Sequence, residues 1–329
     1  MTHQIVNKLK RYLLAIGILT LTLILGAAEY WYTVLPYRAS QFILVTSNEY
    51  NWPEDHIFAM LPDGSHMTRL VRGTEPACSP NGRQIAFVGV DNPQEHFYAH
   101  PAYIFVMDSD GTNIKQLTSG RNWGFSPSWS SDGTKIAFQK GGGVSGIGII
   151  DTITLAIRTF PFPDPTWDIF DLVWSPDGHK FAFGVHTQDS AADGLYISNV
   201  DGSETRKLVD GEISAVAWSP NGQSIVFTYG DQENILRVIT PNGNIVRDIK
   251  LPAGIQIWSR LKWSPDSKGI IFSGTGKENH YAIYYAKKDG SDLSILVQAG
   301  WATWGQDVGE NFPLPRPIIY GNIDWCEVH

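Results

Sequence analysis

One slot recurs along the chain: Cys78, Trp129, Trp174, Trp218, Trp263 and Trp304 follow one another at intervals of 51, 45, 44, 45 and 41 residues. The text around the first five repeats as well, reading ACSPNGRQIAF from Ala77, SWSSDGTKIAF from Ser128, VWSPDGHKFAF from Val173, AWSPNGQSIVF from Ala217 and KWSPDSKGIIF from Lys262. Self-similarity at this period marks an array of small β units that bury their apolar faces only against one another. A period of about 40 to 45 residues is that of a four-stranded propeller blade.

Each repeat is punctuated like a blade. In the second, strand A ends at Cys78, Pro80-Asn81-Gly82 turns the chain, Gln84 to Val88 reads as strand B, Tyr103 to Met107 as C and Ile114 to Leu117 as D. Asn-Gly and Asp-Gly suit such hairpins because these residues accept positive φ at little cost. C-to-D turns stand at Asp63-Gly64, Asp110-Gly111, Asp201-Gly202, Asn242-Gly243 and Asp289-Gly290, with Asp151-Thr152 in the third blade. The first blade begins directly with Gln41 to Thr46 as B and His56 to Leu61 as C, so its strand A must come from elsewhere. Trp301 to Gln306, WATWGQ, holds the sixth slot and is expected to supply it. The sequence therefore predicts an all-β, six-bladed β-propeller of four-stranded blades, its ring closed by a C-terminal strand. Closure removes the exposed sheet edges that make open β arrays prone to aggregation.

WSPDG-x-x-IAF followed by an IYVM-x-x-DG unit resembles the TolB-like (WD-type) β-propeller repeat family over roughly Gln41 to Gln306. The resemblance implies the fold. That family includes binding platforms and the propeller portions of some peptidases. The residues before the repeats do not read as an α/β domain nor those after them as a hydrolase domain, so TolB's own partners are not expected to transfer.

Ahead of the repeats, Leu13 to Ala28 is uncharged and almost wholly apolar, behind Lys8, Lys10 and Arg11. It reads either as a cleaved signal peptide, with small residues at Gly26 and Ala28, or as an uncleaved transmembrane anchor running to Pro36. Its length and the aromatic run Tyr30, Trp31 and Tyr32 favour the anchor. Residues 1–36 are assigned to a cytoplasmic tail with a signal-anchor, and 37–329 to the propeller with its closing strand and tail. The basic residues ahead of the span place the propeller on the extracytoplasmic side. Past residue 36 the chain holds 22 basic and 32 acidic residues, a balance that disfavours nucleic acid as a partner. The two cysteines, Cys78 and Cys326, either pair near the ring closure or remain thiols.

With strand A descending, the short glycine hairpins lie on one face and the longer B-to-C and D-to-A loops on the other. Trp52, Trp123, Trp167, Trp258 and Trp301 map to this loop face. Their indoles are either a recognition surface or caps on the blade cores. Three residues before each slot stand Glu75, Ser126, Asp171, Ala215, Arg260 and Trp301, equivalent positions expected to ring the channel mouth. Glu75 and Asp171 with Arg260 would either orient a polar ligand or form a structural salt bridge between blades.

Motifs for other chemistry fall short. Glu95, His96 and His100 lie in a proline-flanked loop where helical ligand spacing does not apply. Asp108 to Gly111 lacks the distal ligands of a calcium loop. Gly274 to Lys277 misses the phosphate-loop pattern, and Ser145 sits in no nucleophile elbow. No cofactor or metal is expected. The sequence points to a non-catalytic platform binding a protein, peptide or glycan through the loop face and held to the membrane by the N-terminal helix. The alternative is a polysaccharide lyase or hydrolase with its site at the channel mouth.

Overall fold

The structure is a computed structural model that describes residues 39–48, 55–91, 101–141, 146–162, 164, 166–230, 234–257, 260–276, 280–301 and 318–328. The expected N-terminal transmembrane helix lies outside these residues, as do Glu95, His96, His100, Ser145, Trp52, Trp258 and Trp304.

Six sheets form the ring. Blade 1 contains β1 (Gln41–Asn48), β2 (His56–Met60) and β3 (Thr68–Arg72). Blade 2 contains β4 (Thr74–Cys78), β5 (Gln84–Gly89), β6 (Tyr103–Asp108) and β7 (Lys115–Gln116). Blade 3 runs through β8 (Gly124–Trp129), β9 (Lys135–Lys140), β10 (Gly146–Asp151) and β11 (Ile157–Pro161). Blade 4 runs through β12 (Asp168–Trp174), β13 (Lys180–His186), β14 (Gly194–Asn199) and β15 (Arg206–Asp210). Blade 5 is β16 (Ile213–Trp218), β17 (Ile225–Tyr229), β18 (Ile235–Ile239) and β19 (Ile245–Lys250). Blade 6 has a first strand in two pieces, β20 (Gln256–Ile257) and β21 (Lys262–Trp263), then β22 (Gly269–Thr275), β23 (His280–Lys287) and β24 (Leu293–Trp301). The last strand, β25 (Ile318–Glu327), returns to blade 1 and pairs antiparallel with β1, giving the order β25-β1-β2-β3.

The ring thus closes with a C-terminal strand, but not with the expected residues. Trp301 ends β24, the outer strand of blade 6, where it faces His280, and the closing strand is Ile318–Glu327. The register corrects the slot too. Trp325 pairs with Ile43, which pairs with Met60, as Cys78 pairs with Ile85 and Ile85 with Met107. Trp325, 62 residues after Trp263, is therefore the sixth slot residue. Part of the stretch after Pro315, which the sequence leaves unassigned, is the ring's final strand.

The slot explains the conserved spacing within the chain. Slot tryptophans fill the crevice toward the preceding blade, and their indole N–H satisfies a backbone carbonyl there. Trp129 donates to Ala77 at 3.0 Å, Trp174 to Ser128 at 3.0 Å and Trp263 to Ala217 at 3.2 Å, each acceptor one residue before its own slot. Trp218 instead donates to Gly222 in its own hairpin. The serine after the slot clasps the turn. Ser130 Oγ donates to Asp132 and accepts from the Lys135 amide, and Ser175 and Ser264 repeat this with Asp177 and Asp266. Successive side chains point to opposite faces of the pleated strand, and both faces of this inner strand are buried: Ile85 faces the core between blades 1 and 2, whereas Ala86 faces that between blades 2 and 3.

At the seam, two residues depart from the repeat. Cys78 stands in the tryptophan place of blade 2 and Cys326 in the serine place of blade 1, and they form a disulfide with Cα atoms 5.6 Å apart. The hairpin of blade 2 presses on the closing strand at Gly82 (φ 67°), where a Cβ would strike the Glu327 backbone.

Candidate functional site

The first strand of each blade lines the channel, and the position three before the slot is where blades 2, 3 and 4 carry a β-bulge. The register slips between Thr74 and Ala77, Phe125 and Ser128, and Phe170 and Val173. At each bulge a non-glycine residue adopts left-handed φ: Glu75 at 53°, Ser126 at 56° and Asp171 at 50°. Such conformations cost about 1–3 kcal/mol each and persist where the surrounding structure over-determines them. Here they turn three polar side chains inward to one partner, the usual effect of a bulge beside a site.

That partner is Arg260, between β20 and β21. Its Nη2 lies 2.6 Å from Glu75 Oε2 and its Nε 2.9 Å from Asp171 Oδ1. It also donates to Ser126 Oγ. Blade 6 touches blades 2 and 4 in this way only across the ring axis, so the contact closes the channel rather than joining neighbours. The Ser126 amide donates to Glu75 Oε2, and the Val216 amide of blade 5 to Asp171 Oδ2 at 3.1 Å. One turn of the strand below, Lys262 Nζ stands 3.4 Å from Asp324 Oδ1, and Asp324 Oδ2 accepts the Cys78 amide at 2.8 Å. Every blade contributes: Asp324 from blade 1, Glu75 from 2, Ser126 from 3, Asp171 from 4, Val216 from 5, Arg260 and Lys262 from 6.

Three carboxylates meet two cations in a confined space. The Arg260, Glu75 and Asp171 side chains are 13%, 18% and 9% exposed. Burial pushes the Asp171 carboxyl above the ordinary range, against the pull of Arg260. Burial alone would lower Arg260, but Glu75 and Asp171 beside it hold it above its usual value. The guanidinium stays charged and its fork is committed to the two acids, which suits a rigid plug.

Of the sequence-selected residues, Glu75, Asp171 and Arg260 converge as their equivalent repeat positions suggest, and Ala215 is buried without joining them. Trp301 does not belong to this ring, because β24 is the outermost strand of its blade. Trp167 is half-buried, its ring 4.7 Å from Tyr196 and 6.1 Å from Phe162; it caps the core between blades 3 and 4. Trp123 is half-buried at the loop-face end of β8, over Gly141. Sequence reasoning missed Lys262 and Asp324, and also His186 and Asp193 on the loop face. Among the described residues no group of three or more His, Cys, Asp or Glu is placed to hold a metal ion.

The profile of the TolB beta propeller domain matches residues 84–303. The chain is 34% identical over 214 residues to the "Uncharacterized peptidase YuxL" of Bacillus subtilis, covering 58% of this chain and 30% of that protein. It is 24% identical over 246 residues to dipeptidyl-peptidase 5 of Porphyromonas gingivalis, covering 70% of this chain and 34% of the relative. It thus spans about a third of the length of either relative. Among solved structures, TolB from Acinetobacter baumannii superposes with a TM-score of 0.66 at 16% identity, over 87% of this chain and 66% of that one, a likeness of fold. With most of its length inside the matched segment, the chain belongs to the TolB beta propeller domain family.

Proposed function

We propose that the protein is a membrane-tethered, extracytoplasmic binding platform that engages a protein, peptide or glycan through its loop face without catalysis. The observation that carries this reading is the axial network. Arg260, Glu75 and Asp171 spend their charge on one another across the channel mouth, which leaves recognition to the loop rim around a rigid ring. Binding residues commonly sit on loops held by such a scaffold. Trp52, Trp123, Trp258 and Trp301 are the proposed anchors, together with the exposed part of Trp167 where it caps the core of blades 3 and 4. Only Tyr37 to Ser40 separates Pro36 from β1, a reach of about 13–14 Å, so a retained anchor would hold the hairpin face toward the bilayer and turn the loop face away.

Cross-linking and co-purification from native membranes test the reading. The wild type is compared with a folded Trp123→Ala, Trp167→Ala, Trp258→Ala variant, and a partner lost only from the variant is the expected result. Capture that is equal in both refutes the face. Labelling single cysteines introduced at positions 123 and 64 in intact membranes checks orientation, and stronger protection at 123 would reverse it.

A second reading is favoured by the relatives, both named as peptidases, and by the raised carboxyl of Asp171: a propeller enzyme with Asp171 or Glu75 as base at the mouth. Turnover of peptide or polysaccharide substrates that disappears in Asp171→Asn would establish it in place of the first.

A further inference from the structure

The loop-face edge of blades 3 and 4 carries a polar row that the ring does not need for closure. Asp168 opens β12 directly across from His186, the last residue of β13. His186 Nδ1 lies 3.0 Å from Asp193 Oδ2. Asp193 is 5% exposed, and its other oxygen accepts the Thr187 amide at 2.7 Å and the Thr187 hydroxyl at 3.0 Å. On the other side, Gln139 of blade 3 donates to Asp168 Oδ1 at 3.1 Å. The Trp123 indole lies 3.7 Å from where a Cβ on Gly141 would stand, two residues beyond Gln139. Indole, amide, carboxylate and imidazole therefore succeed one another along the rim.

The chemistry of the row is specific. Thr187 alone closes the turn onto Asp193, so the imidazole is not required for it. Because Asp193 is a carboxylate, the proton of the neutral ring resides on Nδ1, and Nε2 keeps its lone pair. The His186 side chain is half exposed. Asp168 is exposed as well, with one oxygen taken by Gln139. The row offers fixed acceptors, an amide dipole and a flat apolar ring, and a ligand matching it carries several hydroxyl donors on an otherwise apolar face. A cationic peptide is the poorer fit, since Lys140 and Arg121 flank the same strands.

We infer that Trp123, Gln139, Asp168 and His186, the last oriented by Asp193, form a subsite for a hydroxyl-rich neutral oligosaccharide. The inference rests on the loop-face platform reading and names its ligand class. His186 is a binding residue and Asp193 a positioning residue.

The test is saturation-transfer NMR of the full chain in detergent micelles, titrated with cello-, xylo-, malto- and chito-oligosaccharides, with affinity read from tryptophan fluorescence. At least one series should bind. Affinity should fall at least tenfold in Trp123→Ala and in His186→Ala, tenfold or less in His186→Gln, which keeps an acceptor, and not at all in Lys268→Ala on the hairpin face. Asp193→Asn should weaken binding by releasing the imidazole it orients, whereas His186→Ala, at a half-exposed side chain, should leave the melting temperature at the wild-type value. No transfer from any series, or transfer that survives in both Trp123→Ala and His186→Ala, overturns the subsite. If a membrane partner is still lost in the triple tryptophan variant, the platform reading stands without it; if neither is seen, both fall.

Discussion

Arg260→Met is the sharpest probe of the axial network. The substitution keeps most of the apolar stem and removes the guanidinium that stands 2.6 Å from Glu75 and 2.9 Å from Asp171. Two carboxylates are left facing each other in a site where the three side chains are largely shielded from water. Removing one partner of a buried ion pair costs about 3–5 kcal/mol, because the remaining charge is desolvated and uncompensated. For a domain of this size each kcal/mol moves the midpoint by about 2–4 °C, so a drop on the order of 10 °C is expected at pH 7. The sign with pH follows from Asp171. Its carboxyl is already raised by burial and rises further without the arginine, so folding disfavours the ionised form. The deficit is therefore complete above the folded pKa and disappears as pH falls to the unfolded value of about 4. Thermal and urea unfolding of parent and variant, followed by tryptophan fluorescence from pH 7 down to pH 4, measures both effects. A triple variant, Glu75→Gln, Asp171→Asn, Arg260→Met, should recover much of the loss. If Arg260→Met melts within 2 °C of the parent at pH 7, the network does not tie the blades together.

Three further outcomes are expected. Trp174→Ala removes a ring 4.5 Å from Phe181 together with its bond to Ser128, and should cost about 3–5 kcal/mol as a large-to-small core change; unfolding indistinguishable from the parent would show the slot is not structural. Cys326→Ser should destabilise by about 2–4 kcal/mol through the freed chain ends, measured against parent protein with and without reductant, and an identical loss in the reduced variant and reduced parent is required. The turn carboxylates Asp63, Asp132, Asp177, Asp201, Asp266 and Asp289 are held below their ordinary pKa, first by serine hydroxyls, with Asp132 at about 2. Their contribution is present above the unfolded value near 4 and lost as pH falls toward 2, so Asp132→Asn should flatten the acid limb of the stability curve; an unchanged limb would remove the turns from the explanation.

Blades 2 to 6 were legible because each writes the same sentence, a slot residue, a serine clasp and a turn that is Asp-Gly or Asn-Gly in blades 2 to 5 and Asp266-Ser267 in blade 6, and each clause has a mechanical role. Blade 1 was harder for a physical reason. Its first two strands come from distant parts of the chain, so no hairpin joins them and no Ser-Pro-Asp-Gly needs to be written after Trp325. WATWGQ, at a repeat-like distance, stood in the gap and drew the assignment of the closing strand to itself. Cys326 in place of the serine removed the remaining clue. The same slip in register hid Asp324 and hence its pairing with Lys262. Glu75, Asp171 and Arg260 could be picked out because equivalent positions in a ring must face one axis, but nothing in the spacing announces that bulges would turn them onto each other. His186 and Asp193 belong to one blade only, and repetition is silent about what occurs once.

Pairing β1 with β25 joins Gln41 to Glu327, and this sets the timetable of assembly. A ribosome adding about 5–20 residues per second needs roughly 15–60 s to travel between those strands. Through that interval β1 has an open hydrogen-bonding edge, and by its end five finished blades have no closed ring to belong to. Long-range pairings of this kind form last and slowly, so the nascent protein is most vulnerable just before completion. A helper that shields a lone strand, rather than one that speeds the folding of individual blades, would raise the yield most.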